Sequence, residues 1–114
     1  MITRTWGRVH HRFSGMHCWP GAPEGKHEHL RNPHRHEFHV TVDFQQFHDD
    51  RDIEFLAFKD WLGRFLEEWS FDLGHQSCEM MAACIYNEVQ GCWGTTRDYR
   101  VEVSEDGENG ALVE

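Results

Sequence analysis

One stretch constrains this chain more than any other: His34-Arg35-His36-Glu37-Phe38-His39-Val40-Thr41-Val42-Asp43-Phe44. Apolar residues at every second position, many of them β-branched or aromatic, predict a strand. A strand sends successive side chains to opposite faces. His34, His36, Phe38, Val40, Val42 and Phe44 therefore share one side, and Arg35, Glu37, His39, Thr41 and Asp43 the other. Two imidazoles stand on the apolar face at the strand's beginning. A His-x-His pair so placed is half of a metal site, because both rings can converge on one ion. The same pair is also compatible with two partly exposed histidines at a strand end.

The rest of the chain is organised around that strand. Before it, residues 3–14 alternate, and Val9, His11, Phe13, Gly15 and His17 share a parity. This predicts a first strand, with His17 just past its end on the apolar parity. The segment Cys18–Pro33 has no periodicity and is rich in turn formers, which reads as a long loop of the kind that carries function. After Phe47 the charged run His48–Asp52 ends the second strand, with Asp52 as an N-cap. Phe55, Phe58, Leu62, Phe65, Leu66 and Trp69 then recur at steps of three and four, predicting a helix over 53–69 with one wide apolar stripe. Ser77 reads as the N-cap of a second helix over 78–90, with Met81, Cys84, Ile85 and Val89 inward. Residues 97–105 alternate again, and 111–113 form a short closing strand. Glu105 falls on the parity of Val101 and Val103, so a carboxylate sits on the apolar side of a strand end. Such a group either binds something or is a salt-bridged or solvated terminus. The order strand, strand, helix, helix, strand, strand predicts an α+β domain over residues 1–114, with an antiparallel sheet and both helices on one face.

Composition narrows the class of function. The 114 residues carry a formal net charge of −9, which argues against nucleic acid or an anionic membrane as the partner. No stretch is apolar enough to span a bilayer, and the start lacks the apolar segment of a signal peptide, so the expectation is a cytoplasmic chain. Cys18, Cys78, Cys84 and Cys92 lack Cys-x-x-Cys spacing and read as free thiols, with Cys84 in the core. Of the 10 histidines, all but His75 lie between His10 and His48, a clustering suited to metal or proton handling.

Several of these residues together resemble the 6-pyruvoyltetrahydropterin synthase and 6-carboxytetrahydropterin synthase family. Phe13-Ser14-Gly15-Met16-His17 is similar to its Phe-Ser-Ala-x-His, and His34-Arg35-His36-Glu37-Phe38 to its His-Gly-His-Asn-Tyr. Pro23-Glu24-Gly25 occurs in the intervening loop of some members. Ile53-Glu54-Phe55 with Lys59 resembles the start of the family's first helix, and Ser77-Cys78-Glu79 stands where Pro-Thr-x-Glu opens the second. Val101-Glu102-Val103-Ser104-Glu105 matches Val-x-Val-x-Glu. The matches run in order through nearly the whole chain.

The resemblance implies a tunnelling fold, ββααββ, whose four-stranded sheets join into an oligomeric barrel, usually a homohexamer. It implies Zn2+ held by His17, His34 and His36, with a fourth position open as in catalytic sites. It further implies a small-molecule pterin substrate, dihydroneopterin triphosphate or a relative, gripped by Glu105 with Glu79 nearby, and lyase or synthase chemistry. Two departures stand out. Leu30 occupies the position of the family's catalytic cysteine, leaving Cys18 or His29 as substitutes. The proton-relay pair is altered to Asp72 and His75, separated by Leu73 and Gly74. A triphosphate would also need cations, and Lys26, Arg31 and Arg35 are the local candidates. A ligand-binding relative that lost the chemistry fits the same residues.

Overall fold

The computed structural model describes residues 1–114. Strands β1 (Thr5–His17) and β2 (His34–Gln46) are followed by helices α1 (Phe55–Glu67) and α2 (Cys78–Trp93), then by strands β3 (Tyr99–Glu105) and β4 (Asn109–Val113). The sheet is antiparallel throughout in the order β1-β2-β3-β4. This is the α+β arrangement that the alternation predicts. No helix is long and apolar enough to cross a membrane.

Both helices cover one face of the sheet. Val9, Phe38, Val40, Val42, Phe44, Tyr99, Val101 and Val103 project into a single buried cluster with Phe58, Leu62 and Leu66 of α1 and Met81, Ala82, Ile85 and Val89 of α2. Phe58 anchors it, stacked on Phe44 at 4.4 Å and tilted against Trp93 at 5.0 Å between ring centroids. The opposite face is polar. There Asp43 is buried between two cations: Arg8 donates to both its oxygens at 2.6 and 2.9 Å, and Arg100 lies 3.4 Å away.

The local expectations are met unevenly. Ser77 caps α2, its hydroxyl accepting from the Met80 N–H. Asp52 does not cap α1. Its carboxylate is drawn off by Arg97, at 2.7 and 3.2 Å, and by the Phe47 N–H. Glu54 takes the cap instead, accepting from the N–H groups of Leu56 and Ala57. α2 runs three residues beyond 90 and ends at Gly94, whose φ is +111°.

Cys84 is exposed rather than part of the core. An advance of about 100° per residue carries it off the flank of the stripe formed by Met81, Ile85 and Val89. Cys78 is the thiol that the core takes, and burial pushes its pKa up to about 12. β1 also extends further than alternation suggests, so that His17 is its last residue and not a loop position. Residues 14–17 stay extended because they pair with β2 on one side and with the connector on the other. On that second side Met16 N–H donates to Phe71 O at 2.8 Å and Leu73 N–H to Met16 O at 2.7 Å.

Replacing Phe58 with alanine removes the ring at the centre of this packing and is expected to lower unfolding free energy by about 3–5 kcal/mol, read from urea denaturation. The Asp52–Arg97 pair has a pH signature. Arg97 first, then the Phe47 N–H, hold the Asp52 carboxyl at about 2, below its ordinary 3.8. A depressed folded pKa stabilises fully above the unfolded value, and that contribution fades as pH falls from about 4 to about 2. Asp52→Asn is therefore expected to be less stable than the natural chain near neutral pH, with the gap closing in that acidic window.

Candidate metal centre

Strand register brings the candidate residues together. In the β1–β2 ladder His17 lies directly opposite His34, and Gly15 opposite His36. In the β2–β3 ladder Phe38 faces Glu105. Directly opposed residues share a face, as do alternate residues along a strand. His17, His34, His36 and Glu105 therefore form one patch at the end of the core-facing side, just beyond Phe38. The rings of His17, His34 and His36 stand 4.6 to 5.3 Å apart between centroids, each steeply inclined to the others. One ligand atom from each of the three and one carboxylate oxygen of Glu105 all lie within 4.8 Å of one another. This group could hold a metal ion.

Proton accounting supports that reading. His17 Nδ1 lies 2.7 Å from Gln76 O, and His34 Nδ1 lies 2.8 Å from Asn32 O. A carbonyl oxygen only accepts, so both nitrogens carry hydrogen. His36 Nδ1 donates in the same way to Asp106 Oδ2 at 2.7 Å. In the neutral ring, Nε2 is then left as a lone pair on all three histidines. Yet Glu105 Oε2 sits 3.0 Å from His17 Nε2 and 3.1 Å from His36 Nε2. Lone pairs facing a carboxylate oxygen at hydrogen-bond distance repel unless positive charge lies among them. Added protons would supply it by making the rings imidazolium; a bound cation supplies it to all four groups at once. The 3.0 and 3.1 Å separations are close to the ~3.4 Å between ligands of a tetrahedral ion with ~2.0–2.1 Å bonds. His17 is buried, which makes unpaired charge there costly.

Two of the three supports, Gln76 and Asp106, come from segments remote from their histidines, whereas Asn32 lies two residues before His34. The connector between the helices runs along the free edge of β1, where Cys18 N–H donates to Gly74 O at 2.9 Å, and this brings Gln76 O to His17. Gly15 allows it, because a Cβ there would stand 2.6 Å from the Leu73 side chain. The turn after β3 carries Asp106 and Gly107 at φ +57° and +71° and folds Asp106 back on His36. The His36 Nδ1–H, and then the Glu37 N–H, hold the Asp106 carboxyl below its usual range. Asp106 was not among the residues singled out from sequence. Its signal is there nonetheless: Asp-Gly directly after a strand is a turn dipeptide suited to positive φ. Backbone carbonyls such as those of Asn32 and Gln76 carry no such signal.

The cluster forms the floor of a cleft of about 610 Å3, within the range of small-molecule sites. Cys18, His75 and Glu79 line it, and so do Trp19 and Met80, both largely exposed. Leu30 lines it too, while His29 remains outside on a short 3-10 turn (Glu28–Arg31). Asp72 does not reach the cleft. Its carboxylate accepts from the Gly74 N–H at 2.9 Å, and no hydrogen bond joins it to His75. No Lys or Arg lines the cleft. Arg31 donates to Ala22 O and Arg35 to Ser14 Oγ, and neither is among the residues that line the cleft.

No protein-family model matches the chain, and no curated protein matches it.

Tag-free protein is expected to bind one divalent ion per chain, measured by elemental analysis after dialysis. His17→Ala and His36→Ala are expected to lower metal affinity by at least about tenfold. Wild-type affinity in either variant would remove that ring from the ligand set.

Proposed function

We propose that the cleft is a zinc-dependent site for a pterin-type heterocycle, in an enzyme of the tetrahydropterin synthase kind. The observation that carries the reading is the convergence of His17, His34 and His36, with Nδ1 of each ring committed to an oxygen and Nε2 left for an ion. The ordered sequence resemblance supplies the reaction class. Zinc is favoured because neutral imidazoles with a carboxylate suit it. When bound, it would act as a Lewis acid, lowering the pKa of a ligand hydroxyl or polarising a carbonyl.

The chain's own residues would do the rest. Trp19, Leu30 and Met80 supply apolar lining for a flat ring. Glu79 supplies a carboxylate, which recognises paired N–H groups such as a guanidine-like edge. Glu105, which the resemblance assigns to that task, stands beside the candidate ligand rings, with Oε2 at 3.0 and 3.1 Å from His17 and His36 Nε2 and Oε1 accepting from Asn109. Cys18 follows a zinc ligand and lines the cleft, which makes it the side chain best situated to exchange a proton with a bound molecule; His75 is the imidazole available for the same work. The absence of Lys and Arg from the lining favours a ligand without a phosphate chain, or one whose phosphates reach beyond this cleft. The same reading assembles chains through the edge of β4 and the part of the β1 edge before Met16, which the connector leaves uncovered, into a closed barrel, a homohexamer.

A second reading keeps the pocket and drops the synthase reaction. Two observations favour it: Leu30 stands in the cleft where the resemblance calls for cysteine, and the Asp72 carboxylate is engaged with the Gly74 N–H rather than with His75. One experiment separates the two. Zinc-loaded protein is incubated with dihydroneopterin and with its triphosphate, following turnover by chromatography and binding by calorimetry. The expected outcome is binding and turnover, with turnover lost in Cys18→Ala. Binding without turnover selects the second reading, and no binding of either compound refutes both.

A further inference from the structure

The three candidate ligand histidines are held by different kinds of partner. His17 and His34 give their Nδ1 protons to main-chain carbonyls, those of Gln76 and Asn32. Only His36 gives its proton to a side chain, that of Asp106, at 2.7 Å. A carboxylate is the stronger acceptor. It fixes the tautomer and also makes the opposite nitrogen a better electron donor. The backbone around Asp106 is specialised to deliver it. Its φ of +57° lies in the left-handed region, uncommon for a residue with a side chain. Two further bonds to Glu37 hold it there: Asp106 N–H donates to Glu37 O at 2.8 Å, and Glu37 N–H donates to Asp106 Oδ1 at 2.9 Å. Both carboxylate oxygens are thus committed, one to the strand and one to the ring.

We infer that Asp106 is the positioning residue of the metal centre: it fixes the His36 ring with Nε2 toward the ion and raises that nitrogen's strength as a ligand. The adjacent carboxylates of this turn have separate tasks. Glu105 faces the ion side of His36, at 3.1 Å from Nε2, and Asp106 faces the opposite side. The inference rests on the metal reading of the preceding subsection and goes beyond it by naming what sets the affinity.

Two variants test it, and both tolerate positive φ. Asp106→Asn keeps an oxygen for the Glu37 N–H but turns an amide donor toward His36 Nδ1–H, setting donor against donor. Asp106→Gly removes the side chain and keeps the Asp106 N–H bond to Glu37 O. Zinc affinity of the full chain is measured by competition with a chromophoric chelator, and the stability of the metal-free protein by urea unfolding. In both variants zinc affinity is expected to fall about 10- to 100-fold. In the zinc-loaded natural protein the His36 Nδ1–H proton resonance is expected far downfield, as for a hydrogen bond to a carboxylate, and to move upfield in Asp106→Asn. A loss below tenfold in both variants, or an unmoved resonance, overturns the role of Asp106 while leaving the metal centre standing. Failure of the unsubstituted chain to bind zinc refutes the metal centre itself, and with it this role.

Discussion

The pairing of β1 with β2 is the interaction on which the rest of the candidate site depends. Opposition of Phe13 to Phe38 puts two aromatic rings 5.3 Å apart within the packed face, and the same ladder, four residues further along β1, sets His17 against His34. A slip of one residue would carry the whole apolar set of one strand to the polar face. Burial of Val9, Phe38, Val40, Val42 and Phe44 makes such a slip costly. The core therefore fixes the positions of the imidazoles, although it lies beside them rather than around them.

Around that ladder the molecule solves a problem of hydrogen-bond donors and acceptors. Three rings and a carboxylate meet at the end of an apolar face, where unpaired polar groups are expensive. Each ring is satisfied on its outer side by an oxygen. On the inner side the groups would repel without positive charge among them. The glycine at position 15 lets the connector come close enough for Gln76 to supply one outer oxygen, and the turn at Asp106-Gly107 brings the Asp106 carboxylate to supply another.

The remainder of the cleft is uneven in chemistry. One wall is apolar and largely exposed, through Trp19 and Met80; the floor carries imidazoles and a carboxylate; and no cationic side chain enters. Asp72 illustrates how a motif-based role can be redirected by local structure. In a short connector its carboxylate finds the nearest backbone N–H, two residues on, and is spent on the turn.

The sequence by itself determined the element order, the faces of the strands and the shared side of His17, His34, His36 and Glu105. It could do so because side-chain direction in a strand follows from parity alone. It also marked Ser77 as a cap, since a hydroxyl before a helix has few competitors there. Tertiary structure decided what depends on partners remote in the chain. Asp52 lost its cap to Glu54 because Arg97 lies next to it in space. Cys84 turned outward and Cys78 inward because the width of the buried stripe on α2 is set by the sheet beneath it. The carbonyl of Gln76 reaches His17 because the connector bends there, and a main-chain oxygen is the same in every residue. Only folding could show that the outer nitrogen of each ring is already occupied, which leaves the inner ones in a group that could hold a metal ion.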